Sequence, residues 1–211
     1  MNFGKLQLNW FDLLVLVMVT VGFLRGRKRG MSEELLDVLM WLCIVVAGAL
    51  FYLPLGQLLT SGVGMPPFFG NVIAYAFIGI TLRFLFAAIK RAVGEKLVQS
   101  DTFGRMEYYL GMVAGPLRYF CILIFLLSFL HAKYISDAER AATAKMQADN
   151  FGSISFPTFG SLQHAVFYES ISGKFIRKNL RAQLMQPADA TPRGGETIAK
   201  RRQRDVEEIM K

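Results

Sequence analysis

Four long apolar blocks, separated by short charged or turn-forming segments, constrain this chain more than any other feature of its sequence. The blocks cover residues 8–24, 35–53, 68–89 and 108–130. At 1.5 Å per helical residue, such blocks approach or exceed the roughly 30 Å hydrocarbon core of a bilayer. No extended stretch alternates apolar and polar residues with a period of two, so the sequence predicts membrane-spanning α-helices and gives no support to a transmembrane β-barrel.

The fold class predicted from these blocks is an all-α membrane protein, a four-transmembrane-helix bundle with a C-terminal helical, partly disordered tail. Residues 1–131 are expected to form the membrane domain and 132–186 an extracytoplasmic helical tail. The composition of 187–211 predicts a disordered basic tail. The first block does not resemble a cleaved signal peptide, because it contains Asp12 and is followed by a basic run with no small-residue cleavage site.

The net charge of +8 follows from cations that end the apolar blocks or lie in the last third of the chain. A nucleic-acid-binding protein needs a basic face on a water-soluble fold, and no such fold precedes the tail. We therefore expect the lipid bilayer as a partner and no nucleic acid. Cys43 and Cys121 lie inside apolar blocks without a second Cys or a His at metal-ligand spacing, so they are interpreted as packing residues.

Lysine and arginine between the blocks predict the orientation of the spans. The first and third loops carry four such residues each, and the second loop carries none. Because cationic loops stay in the cytoplasm, both termini are expected to be extracytoplasmic. The basic tail does not oppose this prediction, since long segments cross largely regardless of their charge.

Charged side chains inside the predicted spans are costly in lipid and therefore informative. The candidates are Asp12, Arg83, Arg118, and Glu34 with Asp37 at the start of the second block. Judged by depth along the helices, Glu34 and Asp37 are the carboxylates nearest to Arg83 and Arg118. We therefore expect one of these carboxylates to pair with Arg118 or Arg83. A buried pair that fixes helix register is the favoured interpretation, and a path for an ion or solute is the other.

Gly111 and Gly115 form a small-xxx-small pair in the fourth block. This spacing permits close approach of two membrane helices. The following proline, Pro116, also predicts a kink in this span.

The tail is predicted to contain two helices. The first begins at a capping box, Ser136 to Glu139, and runs to about Ala148. The second covers 161–185, and the later half of this helix carries its cations on one face: Lys174, Arg177, Lys178 and Arg181. Such a helix lies either in the membrane interface, with its cations on anionic lipid, or on the outer end of the bundle, and the sequence leaves both placements open.

The sequence contains no catalytic set and no motif for a metal or cofactor. Its two histidines, His131 and His164, are far apart, and no Gly-rich phosphate loop, zinc motif or nucleophile elbow is present. A membrane enzyme is therefore the least favoured class, and we expect no cofactor and no metal.

Several short motifs resemble those of the colicin V production protein (CvpA) family. They are residues 9–12 (Asn-Trp-Phe-Asp), residues 29–35 (Arg-Gly-Met-Ser-Glu-Glu-Leu), and Leu110-Gly111 with Gly115 and Arg118. Members typically have an Asp at the start of the first span and Arg-Gly-aromatic-x-Arg-Glu before the second. This chain departs from the family pattern at five positions: Met31, Glu33, Glu107, Tyr108 and Tyr119.

The resemblance implies a bacterial inner-membrane protein linked to production or export of a peptide toxin, or to envelope maintenance. It implies no enzyme activity for the four-span part, and related domains are joined to extracytoplasmic protease domains. We therefore expect a non-enzymatic role through an envelope protein partner or a homo-oligomer. The alternative is a small oligomeric channel or transporter subunit assembled around Asp12, Arg83 and Arg118.

Overall fold

A computed structural model describes residues 9–99, 104–152 and 156–187, and within these the fold is helical with no strand. A 3-10 turn at Gly104–Met106 precedes the third long helix, and a π-helical turn at Ala165–Glu169 follows the fifth. The α-helices in chain order are α1 (Trp10–Val63), α2 (Pro67–Gln99), α3 (Glu107–His131), α4 (Asp137–Phe151), α5 (Phe159–His164) and α6 (Ile171–Asn179).

Three of these helices are long and apolar enough to cross a membrane, namely α1, α2 over Pro67–Val93, and α3. They expose many large apolar side chains, among them Leu16, Leu50 and Phe84 at 61%, 65% and 73%. A water-soluble monomer rarely exposes apolar surface so extensively, whereas a lipid-facing helix does. These features indicate a multi-pass membrane protein.

The helix α1 is interrupted at Gly30, whose φ of 77° and ψ of 175° are non-helical. Glycine alone adopts this backbone conformation readily. The chain reverses here, because residues on both sides of Gly30 hydrogen-bond the same tail segment. Asp12 accepts from the N–H of Ile171, and the Tyr52 hydroxyl accepts from the N–H of Gln186. A straight helix would separate Asp12 from Tyr52 by about 60 Å, and the tail between its two contacts spans at most about 50 Å when fully extended. We call residues 10–29 the first arm and 31–63 the second arm of α1.

The second arm is longer than the sequence predicted. Pro54 and Gly56 were expected to end this helix and 55–67 to form a loop, but the helix continues to Val63 and ends at Gly64, in the left-handed conformation. That part of the prediction is wrong. Pro54 removes one backbone hydrogen bond, and packing against α2 compensates for the loss.

The packing that carries the second arm past Pro54 is close. A Cβ built on Gly56 would collide with Asn71 of α2, and one built on Gly70 would contact the carbonyl oxygen of Gly56 and the hydroxyl of Thr60. The Thr60 hydroxyl also donates to the Gly56 carbonyl oxygen at 2.8 Å. The second arm and α2 are therefore held together by small residues on both sides of this crossing.

Aromatic residues fill the core between the second arm, α2 and α3. Tyr75 of α2 is almost fully buried, stacks on Phe125 with ring centroids 5.2 Å apart, and donates to Ser128 at 3.2 Å. A Cβ on Gly48 of the second arm would collide with the Tyr75 ring. This glycine therefore leaves the space that the ring occupies.

The tail is divided more finely than predicted. The first tail helix, α4, begins after Ser136, which accepts from the backbone N–H of Glu139, and it runs on to Phe151. The single helix predicted over 161–185 is wrong: α5 and its π turn end at Ser170, where α6 begins. The Ser170 hydroxyl accepts from the N–H of Gly173, a capping bond that competes with a continuous helix. The predicted disordered tail, beyond Pro187, lies outside the described residues.

Candidate functional site

Five charged side chains from α1, α2 and α3 meet at the end of the bundle where α1 reverses. Glu34 and Asp37 lie on one face of the first turns of the second arm, because residues three apart share a helix face. The charge cluster consists of these two carboxylates and of three cations, Arg29, Lys90 and Arg118.

Arg118 is the centre of this cluster. One of its terminal nitrogens, Nη1, donates to Glu34 Oε2 at 2.6 Å and to Asp37 Oδ2 at 3.3 Å. Glu34 is fully buried and Arg118 is 7% exposed. Arg29 lies 3.6 Å from each carboxylate, and Lys90 lies 3.0 Å from Asp37. The predicted pair between Arg118 and a carboxylate of the second span is therefore present.

The arrangement binds three helices to one another through charge. A buried charge is tolerated when it is paired and hydrogen-bonded, and here each carboxylate contacts cations from more than one segment. Such a cluster fixes how far the second arm is shifted along α3, since moving either helix by one turn, about 5.4 Å, would leave Arg118 unpaired.

Arg83 does not join this cluster. The structure places it on α2, in the wall of a cavity of about 460 Å³ that Asp37 and Arg118 also line. No carboxylate of the described residues lies within ion-pair distance of Arg83. Of the two arginines proposed as partners for the second-span carboxylates, Arg118 is the paired one.

The reversal of α1 is stabilised by Glu107, one of the residues that depart from the family pattern. Glu107, in the first turn of α3, accepts a hydrogen bond from the backbone N–H of Ser32 at 3.0 Å. A carboxylate there satisfies a free N–H at the start of the second arm, where the helix dipole is positive. The position of an acid just before the Gly111 motif was the available signal.

Gly111 and Gly115 are in close backbone contact with the first arm. A Cβ on Gly111 would collide with the carbonyl oxygen of Gly26, and one on Gly115 would collide with that of Gly22. Three glycines complete this glycine seam, Gly22 and Gly26 in the first arm and Gly30 at the reversal. They share the same four-residue spacing and were not identified from the sequence. The repeat itself was the signal that could have found them.

Asp12 binds the tail. Its carboxylate accepts from the backbone N–H groups of Ser172 at 2.8 Å and Ile171 at 3.1 Å, the first two residues of α6, and from that of Asn9 at 3.2 Å. The N-terminus of a helix carries free N–H groups and a positive dipole end, so a carboxylate is the matching group. Asp12 therefore acts as an anchor for α6.

Other hydrogen bonds tie residues 159–187, which we call the cap, to the same end of the bundle. Asn9 donates to the carbonyl oxygen of Ala165 at 2.8 Å, and His131 donates from Nδ1 to that of Met185 at 2.8 Å. The Tyr52 hydroxyl accepts from the N–H of Gln186 at 3.0 Å. The cap is thus bonded to both arms of α1 and to α3.

The cap cations lie on the outer side of α6 and in the turn that follows it. Gly173 and Ile176 are buried, while Lys174, Lys178 and Arg181 are exposed. Arg177 lies over the Tyr168 ring at 4.1 Å from its centroid, a cation–π contact within the cap. Of the two placements that the sequence left open, α6 is packed on the end of the bundle. Among the described residues, no group of three His, Cys, Asp or Glu is positioned to hold a metal ion.

The family model for the colicin V production protein matches residues 11–148, about two thirds of the chain. No match is found among curated proteins or among solved structures. The matched region contains both arms of α1, the charge cluster and the glycine seam, and the whole cap lies beyond it. These observations have one conclusion: the chain belongs to the colicin V production protein family.

Proposed function

We propose that this protein is a non-enzymatic component of the bacterial inner membrane that acts through an envelope protein partner, in toxin production or export or in envelope homeostasis. The observation that carries the proposal is the docking of the cap. Asp12 in the first arm holds the N-terminus of α6. A tail bonded to the bundle in this way is a fixed surface for a partner.

The proposal includes four membrane crossings. Its support is the reversal of α1 at Gly30, which divides this helix into two arms of opposite direction. Each arm is long enough to cross, and α2 and α3 supply two further crossings. The loop at residues 64–66 then lies on the same side as the cap.

The proposed orientation puts the cap and both termini outside the cytoplasm. The charge cluster includes Arg29, at the end of the run from Arg25, and Lys90, which precedes Arg91. By contrast, no Lys or Arg occurs in residues 54–67. This asymmetry close to the spans favours a cytoplasmic position for the charge cluster. The cap cations count less, because they belong to a long segment.

The proposed partner surface combines α4 with the outer side of the cap. Most of α4 is exposed, including Met146 at 64%, and the cap exposes Phe175 at 59% and Tyr168 at 48%. Aromatic and methionine side chains are enriched at protein interfaces. A partner with an apolar centre and an acidic rim would match these side chains and the neighbouring Lys174 and Lys178.

Site-specific photocrosslinking in intact cells tests this role. A photoreactive amino acid at Met146 or Phe175 is expected to give the same discrete protein adduct, and the matched probe at Phe84, a highly exposed apolar residue of α2, is not. Met146→Glu and Phe175→Glu should abolish both the adduct and the envelope phenotype at unchanged protein level. Loss of neither would contradict the proposal.

A small oligomeric channel or transporter subunit is the second candidate. In a single chain, Asp12 is occupied by the cap and Arg118 by its carboxylates, so a path would have to form between copies. Solute flux through reconstituted protein that is lost on Arg83→Gln would favour the channel over the partner-binding role.

A further inference from the structure

The cavity beside the charge cluster is strongly cationic. It has a volume of about 460 Å³ and lies between α1, α2 and α3. Apolar side chains, including Met40, Trp41 and Phe86, form the rest of its wall. The charged residues that line it are Arg25, Arg29, Asp37, Arg83, Lys90 and Arg118.

The charges around this cavity do not balance. Five cations line it, and among the described residues the carboxylates in contact with them are Asp37 and the buried Glu34. Three positive charges therefore remain unmatched. Within the part of the chain that the structure describes, Arg25 and Arg83 make no ion pair, and they lie on different helices that both face the cavity. Unmatched cations around an open cavity attract an anion.

Arg118 also has donors to spare. Both hydrogen bonds that it makes with described residues are donated by Nη1, although a guanidinium carries five N–H groups on three nitrogens. Among the described residues, Nε and Nη2 of Arg118 have no acceptor, and the residue is only 7% exposed. A ligand oxygen in the cavity could therefore accept from these nitrogens.

We propose that this cavity binds a phosphate group through Arg25, Arg83 and Arg118. A phosphate presents several acceptor oxygens that match the planar fork of a guanidinium. It also supplies negative charge against the three unmatched cations. The group belongs either to the headgroup of a phospholipid, whose chain would contact the apolar wall, or to free phosphate. This binding role goes beyond partner recognition at the cap and does not depend on it.

Tryptophan fluorescence measures this binding directly. The chain has two tryptophans, and Trp41 lines the cavity while Trp10 does not. In full-length Trp10→Phe protein in phosphate-free detergent, dihexanoyl phosphatidylglycerol or inorganic phosphate is titrated against Trp41 emission, with dihexanoyl glycerol as the uncharged control. We expect a saturable change with a phosphate-bearing probe. Arg25→Gln with Arg83→Gln should weaken binding at least about tenfold, since each removes a charge-assisted hydrogen bond.

Matched variants separate a site from diffuse charge. Arg27→Gln with Arg91→Gln removes the same charge from exposed positions at the same end of the bundle, outside the cavity, and binding should stay within about twofold. Arg83→Lys keeps the charge but loses the fork, so intermediate weakening is expected even if the double variant is unstable.

The two probes distinguish the sources of the phosphate. Saturation by phosphatidylglycerol alone identifies a lipid headgroup, and competition between phosphatidylglycerol and inorganic phosphate identifies the phosphate group itself. The absence of a saturable response in the starting protein would overturn the inference. Equal weakening in the two double variants would overturn it too. Crosslinking at the cap is independent of all of these outcomes.

Discussion

Glu34 is the residue whose removal should harm this protein most. Its side chain is fully buried and accepts the 2.6 Å hydrogen bond from Arg118. Removing one partner of a buried ion pair costs up to about 3–5 kcal/mol, and Asp37, at 3.3 Å from Arg118, would still offset part of the arginine charge. We expect Glu34→Gln to lower the free energy of unfolding in mixed detergent micelles by about 1–3 kcal/mol.

The neighbouring acid supplies the control for that experiment. Glu33 is exposed and makes no ion pair among the described residues, so Glu33→Gln should change the free energy of unfolding by less than about 0.5 kcal/mol. Equal effects of the two substitutions would contradict a structural role for the Glu34–Arg118 pair.

Asp12 should be needed for the cap and not for the bundle. Its carboxylate accepts from the backbone N–H groups of Ile171 and Ser172, and a hydrogen bond to a charged group contributes about 1.5–3 kcal/mol. Asp12→Asn is therefore expected to speed amide hydrogen exchange in residues 171–173 at least about tenfold. Exchange in α3 should not change.

A second acid on the tail tests whether charge alone explains that effect. Asp149 lies exposed on α4, and within the described residues it has no hydrogen-bond or ion-pair partner. Asp149→Asn should leave exchange in residues 171–173 unaltered. Faster exchange there in both variants would remove the anchoring role of Asp12.

The charged residues of the candidate site could be predicted from the sequence, but only some of their partners could. Depth along a helix is a property of the sequence, so a carboxylate of the second span could be matched to Arg118. The partner of Asp12 was not predictable, because Ser172 is 160 positions away and donates from its backbone. Any residue type at position 172 other than proline offers the same N–H.

The first arm and α3 depend on the glycine seam for their close contact. A Cβ on Gly26 would collide with the backbone carbonyl oxygen of Gly111, which no side-chain rotation can relieve. Gly26→Ala should therefore force the helices apart and cost about 1–3 kcal/mol in the free energy of unfolding. Chemical crosslinking between the first arm and α3 would report the same separation.

Gly62 is the matched control for the seam. It lies in the helical second arm with nothing within 4 Å of the position of its Cβ. Alanine there should leave stability unchanged or raise it by about 0.5–1 kcal/mol, since alanine is the better helix former. A loss at Gly62 as large as that at Gly26 would attribute the effect to the helix and not to packing.

The limits of the helices were harder to predict than the helices themselves. Pro54 and Gly56 carry the usual signals for a helix end, yet contact with Asn71 of α2 extends the second arm to Val63. Local propensity is a weak preference that tertiary packing overrides. The reversal at Gly30 lies in the basic segment between the first two apolar blocks, whereas its stabilisation by Glu107 depends on α3.

The fold as a whole makes a prediction about sidedness. If α1 crosses twice, position 33 faces one side of the membrane, and positions 61 and 161 face the other. All three residues are exposed: Glu33, Ser61 and Ser161. If α1 does not cross twice, positions 33 and 61 need not face opposite sides.

Cysteine labelling decides between these arrangements. In a background with Cys43→Ala and Cys121→Ala, which removes both cysteines of the chain, a membrane-impermeant maleimide on intact spheroplasts should label Ser61→Cys and Ser161→Cys. It should label Glu33→Cys only after the membrane is opened. The opposite pattern would keep four crossings and reverse the proposed orientation. Labelling of positions 33 and 61 from the same side would exclude the double crossing of α1. It would also exclude the proposal that the cap and residues 64–66 lie on the same side of the membrane.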